Sequence, residues 1–132
     1  MQDQDLTQKI IGCAIKVHST LGPGFLESVY RKSMVYELTR AGLKVESEKP
    51  IQVHYEGIPV GDFVADMVVE DRIILELKAT QSLVQAHEVQ VVNYLTATGL
   101  EIGLLLNFGS DRLEFKRKTR TYRPRNIQNF KL

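Results

Sequence analysis

Two carboxylates and a lysine in the middle of the chain, Asp66, Glu76 and Lys78, are the residues best suited to chemistry. Carboxylate oxygens are ligands that Mg2+ and Mn2+ prefer, and magnesium typically takes one or two of them and keeps several waters. One of those waters could become a nucleophile, and a neighbouring lysine could orient it or stabilise charge on a phosphoryl oxygen. The alternative is a structural ion network, which is the commoner arrangement for clusters of carboxylates and lysine.

These side chains meet only if the hairpin that carries them has the right register. Residues 61–69 and 73–78 have the pattern of two apolar strands joined by the polar turn Glu70-Asp71-Arg72. If Asp71 is the centre of the turn, Val69 pairs with Ile73, and Asp66 lies opposite Glu76 on the same face. A two-residue turn without a bulge would send Glu76 to the other face, so the site requires an odd-length turn or a bulge.

The two faces of this hairpin differ in composition. The face with the charged residues also carries Asp62, Val64, Val68 and Ile74, so the charges stand in a partly apolar setting and need compensation. The opposite face has no polar residue, and we predict that it is core: Phe63, Ala65, Met67, Val69, Ile73, Leu75 and Leu77.

Length and composition predict one globular domain over residues 1–132, with 43% hydrophobic and 25% charged residues. Cys13 is the only cysteine, which excludes an internal disulfide and fits a reducing compartment. The chain has no apolar run of membrane-spanning length and a polar beginning unlike a signal peptide, so we expect a cytoplasmic protein. Phosphate-binding loops, dinucleotide fingerprints and nucleophile elbows are absent, and the histidines have no zinc-ligand spacing.

The charge is unevenly distributed along the chain. Residues 116–132 contain no acid, whereas residues 1–115 hold all 16 acids and 10 of the 17 bases, a balance of −6. This asymmetry suggests a polyanionic partner, and a merely solvated terminal segment is the alternative. The bases of the segment are Lys116, Arg117, Lys118, Arg120, Arg123, Arg125 and Lys131.

The order of predicted elements is helix, helix, a run of strands, helix, strand, strand. Apolar periodicity predicts helices over about 5–21, 25–41 and 82–99. Short strands are predicted over 43–46 and 51–55 and from residue 58, followed by the hairpin and by strands over 102–107 and 113–116. This order predicts a single-domain α/β sandwich with a mixed central sheet.

Two helices carry further polar residues at helical spacing. Glu27 and Tyr30 share a face of the second helix, although an acid in a first turn often only complements the helix dipole, and a tyrosine is often core. Gln90 and Tyr94 share a face of the third helix. A glutamine in so apolar a run bonds to neighbouring backbone or reaches into a polar pocket.

These motifs together resemble a known family. Asp66 followed by Glu76-Leu77-Lys78 resembles the Asp…Glu-x-Lys core of the PD-(D/E)XK nuclease superfamily, with Ala65 in place of the proline. Gly24-Phe-Leu-Glu27-Ser-Val-Tyr30 resembles the signature of the GxxExxY proteins, a group within it. The pair Gln90 and Tyr94 is similar to their helical motif after the lysine strand, and the resemblance covers roughly residues 5–110.

The resemblance implies a restriction-endonuclease-like αβββαβ core with helices on both faces of the sheet, preceded by an extra N-terminal helix. It implies that Asp66 and Glu76 bind Mg2+ (or Mn2+), with the backbone carbonyl of Leu77 as a third ligand. It also implies roles for five side chains: Lys78 assists the attacking water, Glu27 reaches in from its helix, Gln90 contacts a phosphate or the site's polar groups, and Tyr30 and Tyr94 line the pocket.

The leading hypothesis is therefore a metal-dependent phosphodiesterase that acts on nucleic acid, most simply an endonuclease cutting DNA. The basic residues from Lys116 to Arg125 would hold the phosphate backbone, largely independently of sequence. So small a domain is expected to work as a homodimer or to be targeted by a partner. Two alternatives stay open: a non-catalytic nucleic-acid-binding or interaction module that kept the fold, and a metal-dependent hydrolase of small phosphorylated molecules.

Overall fold

A computed structural model describes residues 3–120, which form three helices and a five-stranded sheet. Within this range no helix is both long and apolar enough to cross a membrane. The elements are α1 (Gln4–Leu21), α2 (Glu27–Arg40), β1 (Val45–Tyr55), β2 (Ile58–Val69), β3 (Ile73–Lys78), α3 (Gln85–Thr98), β4 (Ile102–Asn107) and β5 (Glu114–Thr119).

The sheet is mixed, with its strands in the sequential order β1-β2-β3-β4-β5. β3 and β4 are parallel because α3 carries the chain back across the sheet, whereas the other neighbours are antiparallel. This confirms the predicted α/β sandwich and its element order.

Helices cover both faces of the sheet. On one face, α1 and α2 bury Ile10 and Met34 against Leu75 of β3, and all three side chains are fully buried. On the other face, α3 buries Leu95 against Ile74. Because neighbouring residues of a strand alternate between the two faces, each central strand contributes to both cores. Burying one such side chain stabilises the fold by roughly 1.5–3 kcal/mol.

Several predicted boundaries were wrong. β1 is one continuous strand through Pro50 rather than two short ones, which an edge strand tolerates because its outer N–H groups face solvent. β5 extends to Thr119, so the bases from Lys116 to Lys118 lie in the sheet and not in a terminal segment. Arg123, Arg125 and Lys131 lie outside the described residues.

The predicted core face of the β2–β3 hairpin is only partly correct. Met67 to Leu77 follow the prediction, since the alternate residues there are buried in the core with α1 and α2. Ala65 instead packs in the α3 core, and Phe63 is 46% exposed and contacts the ring of Tyr94. The strict alternation therefore fails in the part of β2 that precedes Met67.

Candidate active site

The turn between β2 and β3 sets the register of the candidate site. Glu70 and Asp71 both have φ of 55°, and the N–H of Arg72 donates to the carbonyl of Val69 at 3.0 Å. Two positive φ values are what a type I′ hairpin turn requires. Val69 nevertheless pairs with Ile73, so Arg72 is an additional residue and the predicted odd-length turn is confirmed.

A hydrogen bond or an ion pair holds each residue of this turn. Lys44 donates its backbone N–H to Glu70 Oε2 at 2.6 Å, and its Nζ pairs with Asp71 Oδ2 at 2.8 Å. Arg72 pairs with Asp3 beside α1 at 2.9 Å. The hydrogen bond from Lys44 lowers the pKa of Asp71, and the same bond raises the pKa of Lys44. Such exposed pairs each contribute little stability, but together they favour one turn geometry.

The last regular backbone pair between β2 and β3 is Met67 with Leu75. Beyond it, the carboxyl groups of Asp66 and Glu76 accept hydrogen bonds from backbone N–H groups of the opposite strand. The N–H of Asp66 donates to Glu76 Oε1 at 3.1 Å. The N–H of Leu77 donates to Asp66 Oδ2 at 2.7 Å. Each carboxylate is therefore anchored through one oxygen to the opposite strand, and the two lie side by side as the turn predicted.

Glu76 is only 5% exposed. Burial raises its pKa to about 8, together with the negative charge of Asp66 and a hydrogen bond between the two carboxyls. The N–H of Asp66 and the charge of Lys78 act in the opposite direction. Without a cation, these effects together favour the protonated form of Glu76. A bound divalent cation would supply the missing positive charge and displace that proton.

The donor atoms fit a hard cation. The N–H and C=O of one strand residue point to the same side, so the Leu77 carbonyl faces β2 together with its N–H. Within residues 3–120 there is no group of three or more His, Cys, Asp or Glu that could hold a metal. Two carboxylates and a carbonyl leave positions for water, which suits Mg2+ or Mn2+ and does not suit structural zinc.

Lys78 ends β3 beside a buried asparagine of β4 that sequence reasoning missed. Asn107 pairs with Lys78 in the parallel ladder and is fully buried. Its Oδ1 accepts from the N–H groups of Thr80 and Gly109, and its Nδ2 donates to the Thr80 carbonyl and to Glu114. The signal in the sequence was a polar residue closing the apolar run of β4.

Gln90 and Tyr94 of α3 lie over the face of the sheet that carries Glu76. The amide Nε2 of Gln90 donates to the Tyr94 hydroxyl at 3.2 Å. The hydrogen-bond partner of this glutamine is therefore a side chain of the same helix and not the neighbouring backbone. Tyr94 is 6% exposed, and its pKa is raised by burial and then by the charges of Glu76 and Asp66. The tyrosine hydroxyl is thus within electrostatic reach of both carboxylates.

Tyr30, by contrast, does not line a pocket with Tyr94, and that prediction was wrong. It is fully buried on the opposite face of the sheet, where its ring stacks on Phe108 at 4.8 Å between centroids. Its hydroxyl donates to the carbonyl of Gly22 at 2.6 Å and accepts from the N–H of Phe25. Tyr30 therefore fixes the loop before α2.

Glu27 is the first residue of α2 and is exposed. Among residues 3–120 no hydrogen bond or ion pair joins it to Asp66 or Glu76. Its position matches the simpler interpretation of an acid that complements the helix dipole.

The basic residues have different surroundings. Lys118 pairs with Glu88 of α3 at 2.8 Å, and Arg120 pairs with Glu101. Lys116 is exposed, and Arg117 is half-buried. Part of the positive charge predicted for nucleic acid is thus offset by acids of the same chain.

Comparison with known proteins agrees with this geometry. A family model described as the PD-(D/E)XK nuclease superfamily matches residues 4–118. Members of that superfamily generally use divalent metals. The crystal structure of SSO0001 is similar, with a TM-score of 0.61 and 16% sequence identity, over 92% of this chain and 61% of that chain. Identity this low supports a common fold alone, and no curated protein matches the sequence.

Proposed function

This chain belongs to the PD-(D/E)XK nuclease superfamily, and from that membership we propose that it is a divalent-metal-dependent phosphodiesterase that cleaves nucleic acid internally. The reciprocal anchoring of Asp66 and Glu76 carries this proposal. These hydrogen bonds hold two carboxyl groups together where burial removes water from them, which is unfavourable for their charged forms. A pair with only a structural role would not require this unfavourable arrangement. The Gly24–Tyr30 motif supports a place in the GxxExxY group.

We propose that Asp66, Glu76 and the Leu77 carbonyl hold Mg2+ or Mn2+. When bound, the cation supplies positive charge beside the scissile phosphate and makes water a stronger nucleophile at neutral pH. The protein's part is to fix these oxygens, and the turn at residues 70–72 does so by setting the strand register.

Lys78 follows Glu76 on the same face of β3 and directs its ammonium to the same side. There it orients the attacking water or stabilises charge on a phosphoryl oxygen. Gln90, already bonded to Tyr94, positions a phosphate or the polar groups of the site. For Glu27 we propose no contact with the metal, because its carboxylate makes no bond to the pair.

The proposed substrate is nucleic acid, with DNA as the first candidate. Lys116, Arg117, Lys118, Arg120, Arg123 and Arg125 would bind phosphates without reading sequence. A homodimer would double this basic surface around one duplex.

The test is to incubate the full chain with supercoiled and linear duplex DNA, single-stranded DNA and RNA, in Mg2+, Mn2+ or EDTA. We expect metal-dependent cleavage that falls by at least roughly 100-fold in Asp66→Ala and Lys78→Ala, since each removes a group acting on the transition state. Asp62→Ala is the matched control on β2, because Asp62 is exposed and its side chain, within residues 3–120, bonds only to Gln52, at 3.4 Å.

Circular dichroism and thermal melting establish that each variant is folded. If no substrate is cut, or if Asp66→Ala and Lys78→Ala cut as fast as Asp62→Ala, the nuclease proposal is wrong. If the protein then binds nucleic acid in a salt-sensitive way without cutting it, and Asp66→Ala binds equally well, the protein is a non-catalytic binding module.

A further inference from the structure

A cleft of about 490 Å³ lies between the β1–β2 hairpin and α3, next to the candidate active site. Its volume falls in the range of roughly 300–1,000 Å³ that small-molecule sites occupy. The cleft shares Gln90 and Tyr94 with the site described above, and its remaining walls are Val53, Phe63, Ala86, Val89 and Asn93.

The walls of this cleft are aromatic and aliphatic. Phe63 is 46% exposed, and its ring lies 5.8 Å from the ring of Tyr94, at an angle of 49°. Val89 of α3 is 50% exposed. Large apolar groups left this open on a cleft offer contact area to a flat, apolar ligand.

The polar groups of the cleft are neutral. None of its lining residues is charged, and the two amides, Gln90 and Asn93, each provide a donor and an acceptor. Gln90 donates one N–H to the hydroxyl of Tyr94, which leaves its carbonyl oxygen for a ligand. An uncharged cleft of this kind does not fit a phosphate, whereas it does fit a flat ring with hydrogen-bonding groups on its edge.

We propose that this cleft takes one unpaired nucleobase of the substrate, stacked on Phe63, while the adjoining phosphate lies at Asp66 and Glu76. The inference rests on the proposed nuclease function and narrows its substrate to nucleic acid with a base outside the helical stack. A base within a duplex is covered on both faces and paired along its edge, so it must leave the stack, at an energetic cost, before it enters a cleft between a strand and a helix. Stacking on an aromatic side chain tolerates any base, which predicts structure selectivity without sequence selectivity.

The test measures base binding separately from cleavage. Oligonucleotides carrying 2-aminopurine are titrated with the full chain in EDTA, as single strands, as duplexes with one unpaired 2-aminopurine, and as perfect duplexes. We expect fluorescence quenching and tight binding for the unpaired base only. Phe63→Ala should weaken this binding by roughly 10- to 100-fold, the usual loss when one stacking side chain is removed.

Phe115→Ala is the matched control, because Phe115 lies on β5 and is 45% exposed. Asn93→Ala should weaken binding less than Phe63→Ala, since it removes a hydrogen bond and leaves the stacking surface. Equal affinity for paired and unpaired 2-aminopurine, or equal affinity of Phe63→Ala and Phe115→Ala, would overturn the proposal.

Other outcomes separate this inference from the nuclease proposal. If Phe63→Ala cuts nucleic acid as fast as wild type, the base-site proposal is wrong and the nuclease proposal stands. If the protein cuts nothing but binds the unpaired base through Phe63, the base site is supported and the nuclease proposal is wrong. If sedimentation shows that Phe63→Ala dissociates a dimer without changing base binding, the cleft is a contact between copies of this chain and the proposal is wrong.

Discussion

Glu48 of β1 lies opposite Asp66 of β2 at a point where the register of the two strands skips one pair. Glu48 has a φ of 52°, which turns its backbone out of the extended conformation. On the other side of β2, the ladder to β3 runs from the turn only as far as the pair Met67 and Leu75, so it stops next to Asp66. The backbone of Asp66 is thus outside both ladders, which leaves its N–H for the Glu76 carboxylate.

This irregularity predicts an unusual response to mutation at residue 48. The left-handed conformation costs a non-glycine residue about 1–2 kcal/mol. Glu48→Gly removes that cost and loses only the exposed ion pair with Arg31, so stability should rise by up to about 1 kcal/mol. Glu48→Val should destabilise by more than about 1 kcal/mol, because a β-branched residue is least suited to positive φ. Urea unfolding measures both, and equal stability of the two variants would contradict the left-handed backbone.

The buried carboxyl of Glu76 predicts a pH dependence of the metal-free protein. Its pKa is raised from 4.5 to about 8, so the folded state binds the proton more tightly than the unfolded state. The stability this provides is fully present below pH 4.5 and is lost as the pH rises toward 8. Glu76→Gln keeps the neutral form at every pH and should not show this loss.

Urea unfolding in EDTA across that pH range, for wild type and Glu76→Gln, measures the difference directly. The two proteins should be similar in acid, and the variant should be the more stable at alkaline pH. Calorimetry at pH 7 in buffers of different ionisation enthalpy should also detect proton release when Mn2+ binds to wild type. Parallel stability curves would show that Glu76 is ionised in the metal-free fold.

The sequence predicted the carboxylate pair correctly because hairpin geometry is local. Once the turn at residues 70–72 has an odd length, Asp66 and Glu76 must share a face. The same alternation failed before Asp66, since Ala65 packs in the α3 core whereas Met67 packs in the core with α1 and α2. The alternating pattern of β2 gives no sign of this change of face, because both residues are apolar.

Helical spacing has a similar limit. It shows that Tyr30 and Glu27 are neighbours on α2, yet it does not say which face of the sheet that helix covers. α2 packs on the face opposite α3, so Tyr30 and Tyr94 are separated by the sheet. The network of Asn107 was equally hidden, since its four hydrogen bonds go to three residues, Thr80, Gly109 and Glu114, that lie outside β4.

That network predicts a coupling between β4 and the site. Asn107→Leu removes the partners of partly buried backbone groups at Thr80, which should cost up to about 1–3 kcal/mol for each group left unsatisfied. Gly109→Ala should also destabilise, because its added methyl group would overlap the backbone of Thr80. Thermal melting measures stability, and the affinity for Mn2+ reports any displacement of the site at the end of β3. Gly12→Ala on α1, where a methyl group meets nothing, is the control and should not destabilise the fold.

The two lysines of β5 on the α3 side of the sheet should differ in their effect on nucleic-acid binding. Lys116 is exposed, so Lys116→Gln should reduce the slope of log affinity against log salt by roughly 0.9. Lys118 must first leave Glu88, whose pKa it lowers through their hydrogen bond, so Lys118→Gln should change the slope less. Glu88→Gln frees Lys118 and should tighten binding several-fold at low salt.

Fluorescence anisotropy with labelled DNA from about 50 to 200 mM salt measures all three variants. Identical slopes for wild type and Lys116→Gln would remove β5 from the nucleic-acid surface, and weaker binding by Glu88→Gln would show that the Lys118–Glu88 pair supports that surface.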